Sequence, residues 1–326
     1  MRTGIILLLL LLIFISGCSM LPVKKDTPEP AADMLPETPP QRQPNVRETI
    51  LYLPEQTRRY LLPLRVYIPW ETGIAKAAIK YCTEGSLLPE AATDFAPLLP
   101  AGTSVLGLSL REGVARVDFS KEFLNYPAEQ EQQIINGLIY TLTEFPTIDA
   151  VEIFCEGQQL QLSDNKAAAA PYTRQFGLNP ETAAGDFAAA QFVTLYFLHE
   201  VGDRTFFVPV TRVVEKTGEL LTVIAEELLR GPQQGETLFT AIPNGLSVEE
   251  ITAEGNRVVL RLSGELPAGI TQLAADRLRQ QLALTFTEIH GITEVTVLIN
   301  NRPPDFGAEV SFPPAFGRPK QWNLVQ

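Results

Sequence analysis

The chain is poor in the side chains that most chemistry needs. It holds two histidines, His199 and His290, and three cysteines, Cys18, Cys82 and Cys155. Glu200 follows His199, but no second histidine stands at the spacing of a zinc-binding helix, so both histidines read as solvated surface residues. Three thiols cannot build a disulfide scaffold. Glycine-rich phosphate loops, Cys-x-x-Cys pairs and basic aromatic stripes are all missing, and no apolar run reaches the ~20 residues that a bilayer crossing needs. The formal charge of −12 is spread without long single-sign runs. A surface of that sign repels phosphate backbones and anionic headgroups, which excludes nucleic-acid binding.

What is present starts at the N-terminus. Arg2 precedes an unbroken apolar run, Ile5 to Ile15, that ends in Ile15-Ser16-Gly17-Cys18. This is the three-part plan of a secretory signal, and its run spans only roughly 18 Å as a helix. The small Ser16 and Gly17 let a peptidase approach, and the Cys18 thiol can carry a diacylglycerol. The stretch resembles the lipobox of bacterial lipoproteins, with Ile15 where leucine is usual. Residues 1–17 are expected to be a lipoprotein signal peptide and Cys18 the lipidated, palmitate-bearing start of the mature chain. The plainer reading is a cleaved signal with an incidental cysteine. Pro22, Pro28, Pro30, Pro36, Pro39, Pro40 and Pro44 then interrupt a stretch nearly free of large apolar residues. Residues 18–47 therefore read as an extended tether, with a reach on the order of 90 Å.

The rest of the chain is duplicated. Thr141-Leu-Thr-Glu-Phe-Pro-Thr-Ile-Asp-Ala-Val aligns without gaps on Thr285-Phe-Thr-Glu-Ile-His-Gly-Ile-Thr-Glu-Val, an offset of 285 − 141 = 144. Nearly the same offset carries Leu51-Tyr52-Leu53 onto Leu195-Tyr196-Phe197, Pro63 onto Pro209, Gly85 onto Gly231, and Leu99-Pro-Ala-Gly onto Ile242-Pro-Asn-Gly. Two copies follow, residues 48–158 and 191–302, joined by a linker over 159–190 and followed by a tail over 303–326.

Each copy reads as strand-strand-helix-strand-strand-helix-strand. Leu51–Leu53 and Tyr60–Tyr67 are short strands, with Arg58 and Arg59 in the turn. Ile74–Thr83 and its counterpart Glu219–Arg230 are helices closed by Gly85 or by Gly231-Pro232. Alternation across Val105–Leu110 and Val114–Phe119, around a Glu-Gly turn, predicts a hairpin. Ile134, Leu138, Leu142 and Phe145, matched by Leu278, Leu282, Phe286 and Ile289, mark the apolar face of a long helix. A last strand buries Val151, Ile153 and Cys155, or Val295, Val297 and Ile299. The fold class is α+β: a small mixed or antiparallel sheet with two helices on one face, a two-layer domain present twice.

No residue set answers to a reaction. Gly102-Thr103-Ser104-Val105-Leu106-Gly107 approaches a hydrolase elbow, yet Ser104 opens a strand where an elbow joins strand to helix, so it reads as a turn residue. Cys82 and Cys155 align with Leu228 and Ile299 and read as small core hydrophobes; a disulfide between them stays open. Glu144 and Glu288 sit at matched helix C-termini, where negative charge is unfavourable, which points to retention for a contact. Catalytic, metal and cofactor sites are expected to be none.

The Thr-Leu-Thr-Glu-Phe-Pro-Thr-Ile-Asp-Ala-Val stretch, Leu228-Leu-Arg-Gly-Pro232, the Ile-Pro-Asn-Gly turn and Val117-Asp-Phe-Ser120 together resemble the GerMN domain of sporulation and spore germination. The resemblance implies a non-enzymatic chain, a domain similar to the ring-building motif of secretion machines, and a role in assembling an envelope channel complex between mother cell and forespore. It further implies a lipid-anchored position on the extracytoplasmic face of the membrane, in the intermembrane space of the engulfed forespore, with other proteins of that complex as partners. The segment Leu87–Leu98 has no twin in copy two. The tail, with Phe306, Phe312, Phe316 and Trp322, falls outside the repeat and is expected to pack across a domain or meet a partner. The alternative function is a lipid-tethered binding module for a peptide or glycan, with Tyr172, Phe176 and Phe187 lining a cleft around Ala167–Ala190.

Overall fold

The computed structural model describes residues 45–161, 171–181, 190–216, 218–233 and 237–325. The signal segment, Cys18 and the tether up to residue 44 lie outside the described residues. Among the described residues no helix is long and apolar enough to cross a membrane.

The first copy opens with the antiparallel strands β1 (Val46–Pro54) and β2 (Leu61–Pro69), in which Tyr52 faces Pro63. Their turn is organised by the buried Glu55 carboxylate, which accepts from the amides of Arg59 (2.6 Å) and Tyr60 (3.2 Å) while Arg58 takes a left-handed φ of 57°. Helix α1 covers Ile74–Lys80. It stops short of the Thr83 end expected from its pattern because the Cys82 carbonyl accepts the amides of Leu98 and Leu99, at 2.9 and 3.0 Å. The segment 87–98 thus folds back onto the helix end, with a short helical turn at Pro89–Ala92.

Strands β3 (Val105–Arg111) and β4 (Val114–Phe119) form the expected hairpin, and Glu112 and Gly113 both take positive φ, as a tight primed turn requires. Helix α2 (Glu131–Thr143) then carries the chain to β5 (Ala150–Cys155), which lies parallel to β4 with Val117 beside Ile153. Ile134, Leu138 and Leu142 are buried along α2, as are Val151, Ile153 and Cys155 along β5. A two-residue strand, β6 (Pro180–Glu181), lies within the linker.

The second copy repeats the order: β7 (Ala190–Val201), β8 (Arg204–Glu215), α3 (Leu220–Arg230), β9 (Ser247–Glu254), β10 (Arg257–Ser263), α4 (Gln272–Phe286) and β11 (Glu294–Ile299). Here Tyr196 faces Pro209, and β10 runs parallel to β11 with Leu260 beside Val297. Gly231 closes α3 at φ 82°, and the Thr271 hydroxyl caps α4 by accepting the Ala274 amide at 3.2 Å. In both copies the second sheet is mixed, while the first hairpin stands as a separate sheet. The expected α+β architecture, present twice, is observed, and within each copy the hairpin, whose central residues are buried on both faces, and the mixed sheet share one core. That core runs continuously through both copies.

The tail corrects the reading of the repeat. Tyr172 bridges to Val151 on β5, and β12 (Phe316–Gly317) pairs with β11 through Phe316 and Val295; both residues move by 144 between copies. Each copy therefore has a return segment, 172–181 or 316–325, which first lies along its own last strand and then crosses to the other copy. There β6 pairs in parallel with β8, Pro180 beside Thr211, while Leu324 bridges in parallel to Arg65 of β2. The exchange is reciprocal, and its sequence signature is confined to scattered single residues.

Candidate functional site at the junction of the copies

The exchange brings the hairpins β1-β2 and β7-β8 side by side and builds a polar centre between them. Two asparagines fasten it. Asn179 accepts the Leu61 amide and donates to the carbonyls of Leu61 and Pro209, all at 2.8 Å. Asn323 accepts the Phe207 amide at 2.7 Å and donates to the carbonyls of Phe207 (2.7 Å) and Pro63 (2.9 Å). Each asparagine thus spans both copies, and each sits at a left-handed φ, 47° and 49°, which asparagine tolerates better than most side chains.

Beside these clasps lie two matched clusters. Glu144 accepts the Tyr52 phenol at 2.9 Å and an Arg174 guanidinium nitrogen at 2.7 Å; Glu288 accepts the Tyr196 phenol at 2.8 Å and Arg318 at 2.7 Å. The contact for which the helix-end glutamates are retained is therefore a hairpin tyrosine together with a return-segment arginine. One turn earlier, the buried Thr141 and Thr285 hydroxyls accept the amides of Tyr52 (3.0 Å) and Tyr196 (3.1 Å). The repeated Thr-x-x-Glu is thus a clamp that holds each long helix to its own hairpin, and the arginines offset the unfavourable charge at the helix ends.

Both clusters line one cavity of about 200 Å³, together with Arg65, Tyr140, Leu178 and Trp322. Arg65 and Arg318 lie over the Trp322 ring, 5.6 and 5.4 Å from its centroid. Burial, reinforced by the neighbouring carboxylates, raises the Tyr52 and Tyr196 phenols well above their ordinary value of 10.0. Burial works to lower Arg174 and Arg318, yet the facing tyrosines and glutamates leave both raised. The phenols keep their protons and the guanidiniums keep their charge, so this arrangement is suited to holding two domains together.

Other singled-out residues separate clearly. His199 is half-buried, packs edge-on against Tyr60 at 5.2 Å, and places Nδ1 2.8 Å from the Thr237 carbonyl. It is a joint between the copies, which corrects the reading of it as a solvated residue; His290 is exposed. The segment 87–98 supplies a further joint, with Phe95 edge-on to Phe206 at 5.3 Å and Asp94 paired with Arg204 at 2.9 Å. Cys82 and Cys155 are buried free thiols, and burial pushes Cys82 up to about 12. Ser104 donates to the Gly102 carbonyl within its turn. Tyr172 is taken up by its pairing with Val151 and does not line the junction cavity. Phe187 and the Phe176 side chain lie outside the described residues. Among the described residues no group of three or more His, Cys, Asp or Glu is placed to hold a metal ion.

Sequence reasoning missed Arg174, Arg318, Asn179 and Asn323. The signal that could have found them is their common spacing, 318 − 174 = 323 − 179 = 144, equal to the offset of the repeat.

Comparison with known proteins places this architecture. The family model described as "Germane: Sporulation and spore germination" matches residues 50–161 and 194–305. The chain is 29% identical to the spore germination protein GerM of Bacillus subtilis (strain 168) over 258 residues, which cover 74% of this chain and 69% of that protein. It is also similar to the solved tandem GerMN domains of the sporulation protein GerM from Bacillus subtilis, with a TM-score of 0.74 at 26% identity, covering 86% of this chain and 100% of that one.

Proposed function

The chain belongs to the Germane family of sporulation and spore germination proteins, in tandem form, and from that premise we propose that it is a non-catalytic assembly lipoprotein. Cys18 is its lipidated residue; residues 18–47 tether the two domains, 48–158 and 191–302, to the extracytoplasmic face of the membrane. Position and docking are its contribution, in support of an envelope channel complex between mother cell and forespore.

One observation carries the docking part. Strand β3 is the outermost strand of its sheet, and it exposes Leu106 (54%) and Leu110 (46%). Its counterpart β9 also lies at an edge but carries Glu249, Glu250 and Glu254. Charged side chains blunt an edge against strand addition, whereas exposed leucines leave it open to another protein. The first copy therefore offers the docking edge.

The test is recovery of the tagged full-length chain from membranes of sporulating cells. Channel components are expected to co-purify, and Leu110→Lys is expected to reduce their yield while the chain stays in the membrane. Cys18→Ala is expected to move the chain to the soluble fraction. Recovery of no sporulation component, with expression confined to growth, would defeat the proposal, and membrane retention of Cys18→Ala would refute the anchor.

A further inference from the structure

The two copies differ most usefully in a groove between α1 and the start of β3. In the first copy this groove encloses about 420 Å³, with Glu71, Lys76, Lys80, Thr83, Ser86, Thr103 and Ser104 on its walls. The repeat sets these against Thr222, Glu226, Leu229, Pro232, Leu246 and Ser247. In the second copy Leu229 and Leu246 pack against the core. At the same places the first copy has Thr83 and Thr103, shorter side chains bearing hydroxyls. The leucine fill is gone, and the space it leaves is polar, with two lysines against one glutamate, within a chain of net charge −12.

The donors in this space are incompletely engaged. The Thr103 hydroxyl is buried and has no hydrogen-bond partner, an arrangement that costs stability unless something supplies an acceptor. Lys80 meets Glu71 only at 3.7 Å, and Lys76 has no ion-pair partner among the described residues. The Ser104 hydroxyl reaches its own turn carbonyl at a long 3.4 Å. The lining contains no arginine, so the flat two-point fork that suits a carboxylate is missing. The Thr83 hydroxyl is committed to the Ile79 carbonyl at 3.1 Å. The two ammonium groups of α1 and the unpartnered Thr103 hydroxyl on the facing wall suit a tetrahedral oxyanion with several acceptor oxygens.

We infer that this groove binds a phosphoryl group, with Lys76 and Lys80 supplying the charge and Thr103 a buried hydroxyl donor. The inference is independent of the assembly role, since none of Leu106, Leu110 and Cys18 enters it. The phosphoryl group is either free phosphate or one esterified to a hydroxylated carrier.

The test follows the ³¹P signal of inorganic phosphate and, separately, of bis(glycerol) phosphate on titration with the full-length chain in neutral detergent at fixed ionic strength. At least one probe is expected to saturate. Saturation by inorganic phosphate identifies the free ion as ligand; saturation by the diester alone identifies the esterified form. Lys76→Gln and Lys80→Gln are each expected to weaken binding about fivefold, with melting unchanged because both side chains are exposed. Thr83→Leu with Thr103→Leu, which restores the residues of the second copy, is expected to abolish binding. Failure of both probes to saturate, or saturation indifferent to the two lysine variants, overturns the inference.

Discussion

The two halves of the exchange solve one packing problem with opposite chemistry. Where β6 lies along β8, Glu181 faces Arg212, and the guanidinium also reaches Glu227 and the carbonyl of Gly231 at the end of α3. Arg212 is 1% and Glu181 3% exposed. Where the tail lies along β2, the matched residues are Val325 and Val66, equally buried. A buried ion pair and a valine pair therefore occupy equivalent places in one molecule. Strand exchange needs complementary burial, and either chemistry supplies it, but only the charged version fails badly when one partner is removed.

That contrast can be broken directly. Arg212→Val alone is expected to cost about 3–5 kcal/mol, because two buried carboxylates lose their guanidinium, whereas Arg212→Val with Glu181→Val removes one of those carboxylates and is expected to recover part of the loss, Glu227 keeping Arg230. Urea denaturation of both variants measures the difference; equal stability of the single and double variants would show that the ion pair does not act as a unit. The asparagine clasps sharpen the comparison at smaller scale. Asn323→Ala strips three buried backbone groups of their partner and is expected to cost about 3 kcal/mol. Asn179→Ala removes the same three bonds at a half-buried site where water can substitute, and is expected to cost about 2 kcal/mol. Thermal melting orders the two, and the reverse order would place the weight of the junction on the other clasp.

The smallest effect concerns pH. Tyr52, Tyr196 and Cys82 all have folded-state values above their ordinary ones. Their contribution is fully present below the unfolded values and is lost as pH rises toward the folded ones. For Cys82 that window runs from 9.0 to about 12; for the tyrosines it opens at 10.0. Stability to urea is expected to hold level up to pH about 9 and then to fall, and Tyr52→Phe with Tyr196→Phe is expected to flatten the fall above pH about 10. An unchanged slope in the double variant would remove the phenols from the account.

Much of the fold was legible because repetition doubled every local signal. The element order, the apolar faces of α2 and α4, and the Glu-Gly turn follow from periodicity and turn chemistry, both short-range properties. The end of α1 was not legible, since pairing of Cys82 with Leu98 and Leu99 overrides helical spacing. The exchange was harder still. A return segment is held by single side chains and a few backbone bonds, so between copies it keeps Arg174/Arg318 and Asn179/Asn323 but no contiguous pattern. At the junction the glutamates were visible as charges in an unfavourable place, while the residues that compensate them lay in stretches read as linker and tail. His199 shows the same limit, because a polar ring looks solvated until the other copy covers it.

The most direct test of the exchange is amide hydrogen exchange in a chain ending at Pro303. In the intact protein the Arg65 amide donates to the Asn323 carbonyl, and the Val325 amide to the Arg65 carbonyl. Removing residues 304–326 is therefore expected to expose β2, with protection lost at Arg65 in the first copy, more than 200 residues from the cut. Loss of protection confined to the second copy, with β2 unchanged, would contradict the reciprocal exchange on which this account rests.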